Sequence, residues 1–134
     1  MTRVFFTNSG TEATEGAIKL VRRATGRTGI IATHGGFHGR TLGAASITSG
    51  EGYRVPFGPL MPGGKFVDFG DAEAVEEAID GDTGAVIVEP VQGEGGVIVP
   101  PVGYLTALRE ITKRHGLLLV LDEIQTGIGR LGRM

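Results

Sequence analysis

The chain has 134 residues, 40% of them hydrophobic and 21% charged, with a formal charge of -2 and no cysteine. That length allows one domain with a real core but is short for a two-domain enzyme. The charge balance gives no sign of a basic nucleic-acid surface or an acidic tail, the lack of cysteine excludes disulfides and thiolate metal sites, and no apolar run reaches membrane-spanning length.

The N-terminal run into Val4-Phe5-Phe6-Thr7 reads as a strand entered directly, so no secretory signal is expected. A helix follows from about Thr11 to Ala24, with Ala13, Ala17, Leu20, Val21 and Ala24 at helical spacing. Gly29 to Thr33 is a second strand, and a short helix is expected after Arg40. Thr48 to Gly64 holds three prolines and five glycines with little periodicity. It reads as a long surface loop, functional or interfacial rather than a linker. Lys65 to Phe69 is a strand, and Asp71 opens a helix that runs to Ile79. Ala85 to Val88 is a strand, and Gly103 to His115 a helix with Tyr104, Leu108, Ile111 and His115 along one stripe. Cations in its last turn and Gly116 just beyond mark its end. Leu117 to Leu121 is wholly apolar, as in a parallel strand covered on both faces.

Strands alternating with helices predict an α/β fold: a parallel-rich sheet flanked by helices. Ligands in such sheets bind beyond the carboxyl ends of the strands. Three predicted strands end in polar residues, running into Asn8-Ser9, into Glu89 and into Asp122-Glu123. If the strands are parallel, those ends share one edge.

Four motifs carry candidate chemistry. In Asn8-Ser9-Gly10-Thr11-Glu12, the Ser9-x-x-Glu12 spacing matches a capping box, so a helix N-terminus with free N–H groups and hydroxyls follows a strand. That is either a simple capped helix or a phosphate site. Asp122-Glu123-Ile124-Gln125 ends an apolar strand in a carboxylate, which needs a surface turn or a cationic partner. Phe37-His38-Gly39-Arg40-Thr41 offers an aromatic for stacking on a flat ligand and a guanidinium fork for a carboxylate; His38 reads more readily as structural than as a general base. Glu89-Pro90-Val91-Gln92-Gly93-Glu94 sets two carboxylates on a glycine-rich loop, either solvated or fit for acid/base work. Gly127-Ile128-Gly129-Arg130-Leu131-Gly132 matches the dinucleotide fingerprint in form only, because Asp122 to Thr126 separate it from the preceding strand. The chain's 24 glycines, about twice average usage, make such a match unsurprising.

Taken in order, these motifs resemble class III aminotransferases of fold type I, most closely those of acetylornithine type, along nearly the whole chain. The resemblance implies pyridoxal 5'-phosphate as cofactor. Ser9, Gly10 and Thr11 would bind its phosphate, Phe37 and Ile124 would cover the two ring faces, Asp122 would pair with the ring nitrogen, and Gln125 would bond the phenolic oxygen. Arg40 would hold a substrate carboxylate, and Glu94 would stand at the substrate entrance, neutralising a second arginine outside this chain. The family's Schiff-base lysine falls about 30 residues beyond the Asp, one α/β step on. Lys19, Lys65 and Lys113, the only lysines here, do not match it, so it is expected beyond Met134.

The resemblance further implies that residues 1–134 are one partial domain, the cofactor-binding large domain without its lysine segment and small domain. It implies amino transfer from an acetylornithine-type donor to 2-oxoglutarate, as in arginine biosynthesis, by a cytoplasmic homodimer with no nucleic-acid or membrane partner. The alternatives are a 4-aminobutyrate, ornithine or succinyl-ornithine transaminase, and a non-catalytic domain that binds pyridoxal phosphate or another phosphate.

Overall fold

The computed structural model describes residues 3–132. Met1 and Thr2, where the run read against a secretory signal begins, lie outside the described residues, as do Arg133 and Met134. In chain order the elements are α1 (Gly10–Thr25), β1 (Gly29–Thr33), α2 (Leu42–Ser46), two 3-10 turns (Glu51–Tyr53 and Val55–Phe57), β2 (Gly64–Val67), α3 (Ala72–Glu77), β3 (Thr83–Val88), α4 (Tyr104–Arg114) and β4 (Leu118–Leu121).

The strands form one four-stranded sheet in the order β2-β1-β3-β4, and every pairing is parallel. β1 and β3 are buried along their whole length, which their unbroken apolar runs require. Alternate side chains feed opposite faces. Ile30, Ala32, Ala85 and Ile87 pack with Ile18 and Val21 of α1 and with Ile47. Ile31, Val86 and Val88 pack with Val75 of α3, Tyr104 and Leu108 of α4, and Leu117. Two core layers therefore sandwich the sheet between α1 on one face and α3 with α4 on the other.

Most predicted elements recur with ends shifted by a residue or two, and three expectations need correction. Val4 to Thr7 forms no strand: Val4, Phe5 and Phe6 are 67%, 83% and 90% exposed, and no described strand pairs with them. A strand is defined by its neighbour, and residues that favour strands, such as valine and phenylalanine, do not alone supply one. On α1, the buried stripe is Thr14, Ile18 and Val21, one residue off the alanine stripe, and Leu20 is 62% exposed. On α4, His115 caps the helix instead of joining the buried stripe, its Nε2 lying 2.8 Å from a Glu76 carboxylate oxygen. The Thr48 to Gly64 segment is the expected irregular loop, with the two 3-10 turns inside it.

Connections leave β1 toward β2 and β3 toward β4, in opposite directions across the sheet. The loops after β1 and β3 thus diverge at their carboxyl ends. This is the topological switch point where open α/β sheets hold their ligands.

Candidate active site

The loop after β1 carries Phe37 to Arg40, the loop after β3 begins at Glu89, and β4 hands over to Asp122. The N-terminus of α1 meets them. Gly10, Thr11, Phe37, His38, Gly39, Glu89, Asp122, Ile124 and Gln125 line one cleft of about 90 Å³. It is partly open to solvent, so the described residues form an open cleft rather than a closed chamber.

The α1 terminus is built as the capping spacing predicts, with one change. Ser9 Oγ accepts from Glu12 N at 3.3 Å. Glu12 reaches back past Ser9 to Asn8, accepting from its backbone N at 2.7 Å and its side-chain amide at 3.0 Å. The next turn of α1 holds the loop after β1. Thr41 donates its hydroxyl to Glu15, and Glu15 also accepts from Ala44 N at 3.1 Å, capping α2. With its single proton spent on a carboxylate, Thr41 must accept in its 3.0 Å bond with Thr11, so Thr11 is the donor there.

Three glycines in and beside the cleft sit close to its side chains. A Cβ on Gly10 would lie 3.0 to 3.2 Å from three Ile124 side-chain carbons, and one on Gly93 would meet the end of the Gln125 side chain at 2.5 to 2.6 Å, so either neighbour would have to shift. Gly39 has φ +130, and a Cβ there would also run into the Thr11 hydroxyl. No other residue fits that turn at low cost.

The loops after β1 and β3 are locked together by two buried polar groups. Glu89 is 5% exposed; its Oε1 accepts from Phe37 N at 3.0 Å and its Oε2 from Gly93 N at 2.9 Å. Gln92 donates to Thr33 Oγ1 at 3.2 Å and to the His34 carbonyl at 2.8 Å. Glu89 is therefore a clamp with one carboxylate oxygen on each loop, not a solvated acid.

Asp122 is the carboxylate the sequence leaves in need of a partner, and its partners are local. Oδ1 accepts from Ile124 N at 3.1 Å, and Oδ2 lies 2.7 Å from His38 Nδ1. A carboxylate can only accept, so Nδ1 carries the proton of that bond. The His38 side chain is fully buried and its Nε2 has no hydrogen-bond partner. Asp122 keeps lone pairs beyond the two bonds it accepts, enough for one further donor.

Six of the nine residues expected at a ligand site (Gly10, Thr11, Phe37, Asp122, Ile124 and Gln125) line this cleft. Ser9 spends its side chain on the cap. Arg40 and Glu94 lie outside the cleft, each exposed, and meet through Tyr53. His38, read as structural, is buried against Asp122. Sequence reasoning missed two participants: Glu89, weighed as a solvated or acid/base loop carboxylate, and Tyr53, hidden in the irregular loop; no local spacing marks either. The cleft, with its hydroxyls and N–H groups at a helix start, an aromatic, and a carboxylate with a spare lone pair, can hold a flat, phosphorylated ligand that carries an N–H.

The class-III aminotransferase family model matches residues 1–134, and the chain belongs to that family. Among curated relatives it is similar to the acetylornithine aminotransferase of Methanopyrus kandleri, with 59% identity over 99% of this chain and 34% of that protein. The corresponding enzyme of Mycolicibacterium smegmatis shares 56% identity over 97% of this chain and 33% of its own length. This chain thus spans about a third of the length of the curated relatives it matches. Among solved structures, an ornithine aminotransferase from Toxoplasma gondii superposes with a TM-score of 0.90 at 39% identity, over 95% of this chain and 32% of that one. A Bacillus anthracis aminotransferase gives a TM-score of 0.91 at 28% identity, over 96% and 35%.

Proposed function

We propose that these 134 residues are part of the cofactor-binding large domain of a pyridoxal-phosphate-dependent transaminase of acetylornithine type, with 2-oxoglutarate as amino acceptor. The observation that carries the reading is the cleft at the switch point. Asp122 stands there with a spare lone pair beside Phe37, Ile124, Gln125 and the start of α1, in a chain of this family.

Pyridoxal phosphate, when bound, supplies an electron sink for the substrate's α-carbon. The residues of this chain do the rest of the holding. The first N–H groups of α1, with Gly10 and Thr11, would take the phosphate, where the helix dipole favours negative charge. Ser9 would contribute through the backbone turn it caps. Asp122 would accept from the ring nitrogen and favour its protonated form. His38, bonded to Asp122 Oδ2, fixes the rotation of the carboxylate. Gln125 would donate to the phenolic oxygen, and Phe37 and Ile124 would cover the ring. Arg40 receives a substrate carboxylate, and Glu94 faces the substrate entrance, to neutralise an arginine from another segment.

Lys19, Lys65 and Lys113 do not line the cleft; Lys65 pairs with Asp80. The lysine that links the cofactor and moves the proton at the α-carbon therefore belongs to a segment outside these residues. The 134-residue chain alone is expected to show no transamination. The same lack of a lysine in the cleft is what favours the second reading, a non-catalytic phosphate-binding domain. A homodimer interface that includes the Thr48 to Gly64 loop fits the exposure of Val55 and Phe57. The cytoplasmic setting and the role in arginine biosynthesis rest on the family resemblance alone.

The test is glutamate formation by the full-length protein from 2-oxoglutarate, with N-acetylornithine, succinyl-ornithine, ornithine and 4-aminobutyrate compared as donors and pyridoxal phosphate supplied or withheld. Cofactor-dependent turnover, fastest with N-acetylornithine, is the expected result. Turnover led by another donor moves the assignment within the family, and none with any donor leaves the non-catalytic reading.

A further inference from the structure

Beside the cleft, three residues from three loops form a row of contacts. The Arg40 guanidinium carbon lies 4.7 Å from the centroid of the Tyr53 ring and 5.9 Å from that of Phe37. The two rings meet edge to face, with centroids 5.4 Å apart. Tyr53 donates its hydroxyl to Glu94 Oε1 at 3.1 Å. Arg40 makes no ion pair among the described residues, although the exposed Glu94 lies at the other end of the same tyrosine. With Leu42, Ala45 and Phe57, Arg40 and Tyr53 line a second cavity of about 110 Å³.

We infer that Tyr53 is a positioning residue for carboxylate recognition, acting as the shelf on which Arg40 lies. The inference rests on the reading of Arg40 as the substrate's carboxylate receptor. A guanidinium held on an aromatic face is oriented without spending its in-plane N–H donors, so the whole fork remains for an incoming carboxylate. The ring and not the hydroxyl performs this task, which makes the idea testable by two substitutions at one position.

The binding probe is glutarate, a dicarboxylate without the keto group, titrated into the cofactor-free full-length protein. Arginine side-chain NMR signals report the shelf independently. In the wild type the Arg40 side-chain protons should show an upfield ring-current shift. Tyr53→Phe should keep that shift, and Tyr53→Leu should remove it. Tyr53→Leu should weaken glutarate roughly two- to fivefold, the scale of one exposed cation–π contact. Tyr53→Phe, which keeps the ring, should bind glutarate like wild type. The inference is overturned if Arg40 shows no ring-current shift, if Tyr53→Leu binds glutarate like wild type, or if Tyr53→Phe weakens it as much as Tyr53→Leu. Arg40→Ala separates the two claims. If it alone abolishes glutarate binding while both Tyr53 variants bind normally, Arg40 stands as the receptor and Tyr53 does not position it. If Arg40→Ala has no effect, the receptor assignment falls, and the inference with it.

Discussion

Replacing Glu89 by glutamine changes almost no volume but turns a two-acceptor group into one acceptor and one donor. The carboxylate now accepts from Phe37 N at 3.0 Å and Gly93 N at 2.9 Å, and the residue is 5% exposed. Each bond to a charged acceptor contributes about 1.5 to 3 kcal/mol. Glutamine keeps one of them as a neutral bond of about 1 kcal/mol. Its amide nitrogen then confronts the other backbone N–H, and a buried donor left unpaired costs about 1 to 3 kcal/mol more. Relief from burying a charge returns part of this, so the expected net loss is about 2 to 4 kcal/mol. Urea unfolding measures it globally. Hydrogen exchange measures it locally, where the Phe37 and Gly93 amides should exchange on the order of a hundredfold faster, matching a loss of about 2.7 kcal/mol. A Glu89→Gln variant within about 0.5 kcal/mol of wild type, with both amides as protected as before, would refute the clamp.

Gly39→Ala forces an alanine to φ +130 against the Thr11 hydroxyl, and should cost about 1 to 3 kcal/mol in denaturant unfolding while loosening the α1 terminus. Leu108→Ala empties a fully buried position on the α4 face, with an expected loss of about 2 to 5 kcal/mol and a lowered Tm. The Lys65 ammonium and the Thr83 hydroxyl beside Asp80 hold its carboxyl down at about 2, below the ordinary 3.8. A depressed folded value means the contribution is present above 3.8 and is lost as pH falls toward 2; Asp80→Asn should flatten the stability curve in that window, and carboxyl NMR should give the low value directly.

Much of this fold is legible in the sequence because its two central strands are buried on both faces. Gly29 to Thr33 and Ala85 to Val88 need no partner pattern to be recognised, and Glu89 marks the end of the second. Asp71 and Ser9 announce helix starts by side-chain chemistry alone, and both caps form. The failures have a common cause in tertiary contact. Val4 to Thr7 has strand composition but no neighbour, and α1 carries two adjacent apolar stripes, of which only contact with the sheet selects Thr14, Ile18 and Val21. The site follows the same division. Residues at element ends, such as Thr11 and Asp122, are visible as breaks in local pattern. His38, Glu89 and Tyr53 act through partners 84, 52 and 41 residues away, and no local spacing encodes those pairings.

Asp122 is the proposed partner of the cofactor's pyridine nitrogen. Spectroscopic titration of pyridoxal phosphate into the full-length protein and its Asp122→Ala variant, with turnover of N-acetylornithine followed in the same samples, tests that most directly. The wild type should bind the cofactor with a visible absorption band that borohydride removes, and should turn over; Asp122→Ala should lose turnover altogether. Near-normal turnover by Asp122→Ala would contradict the account.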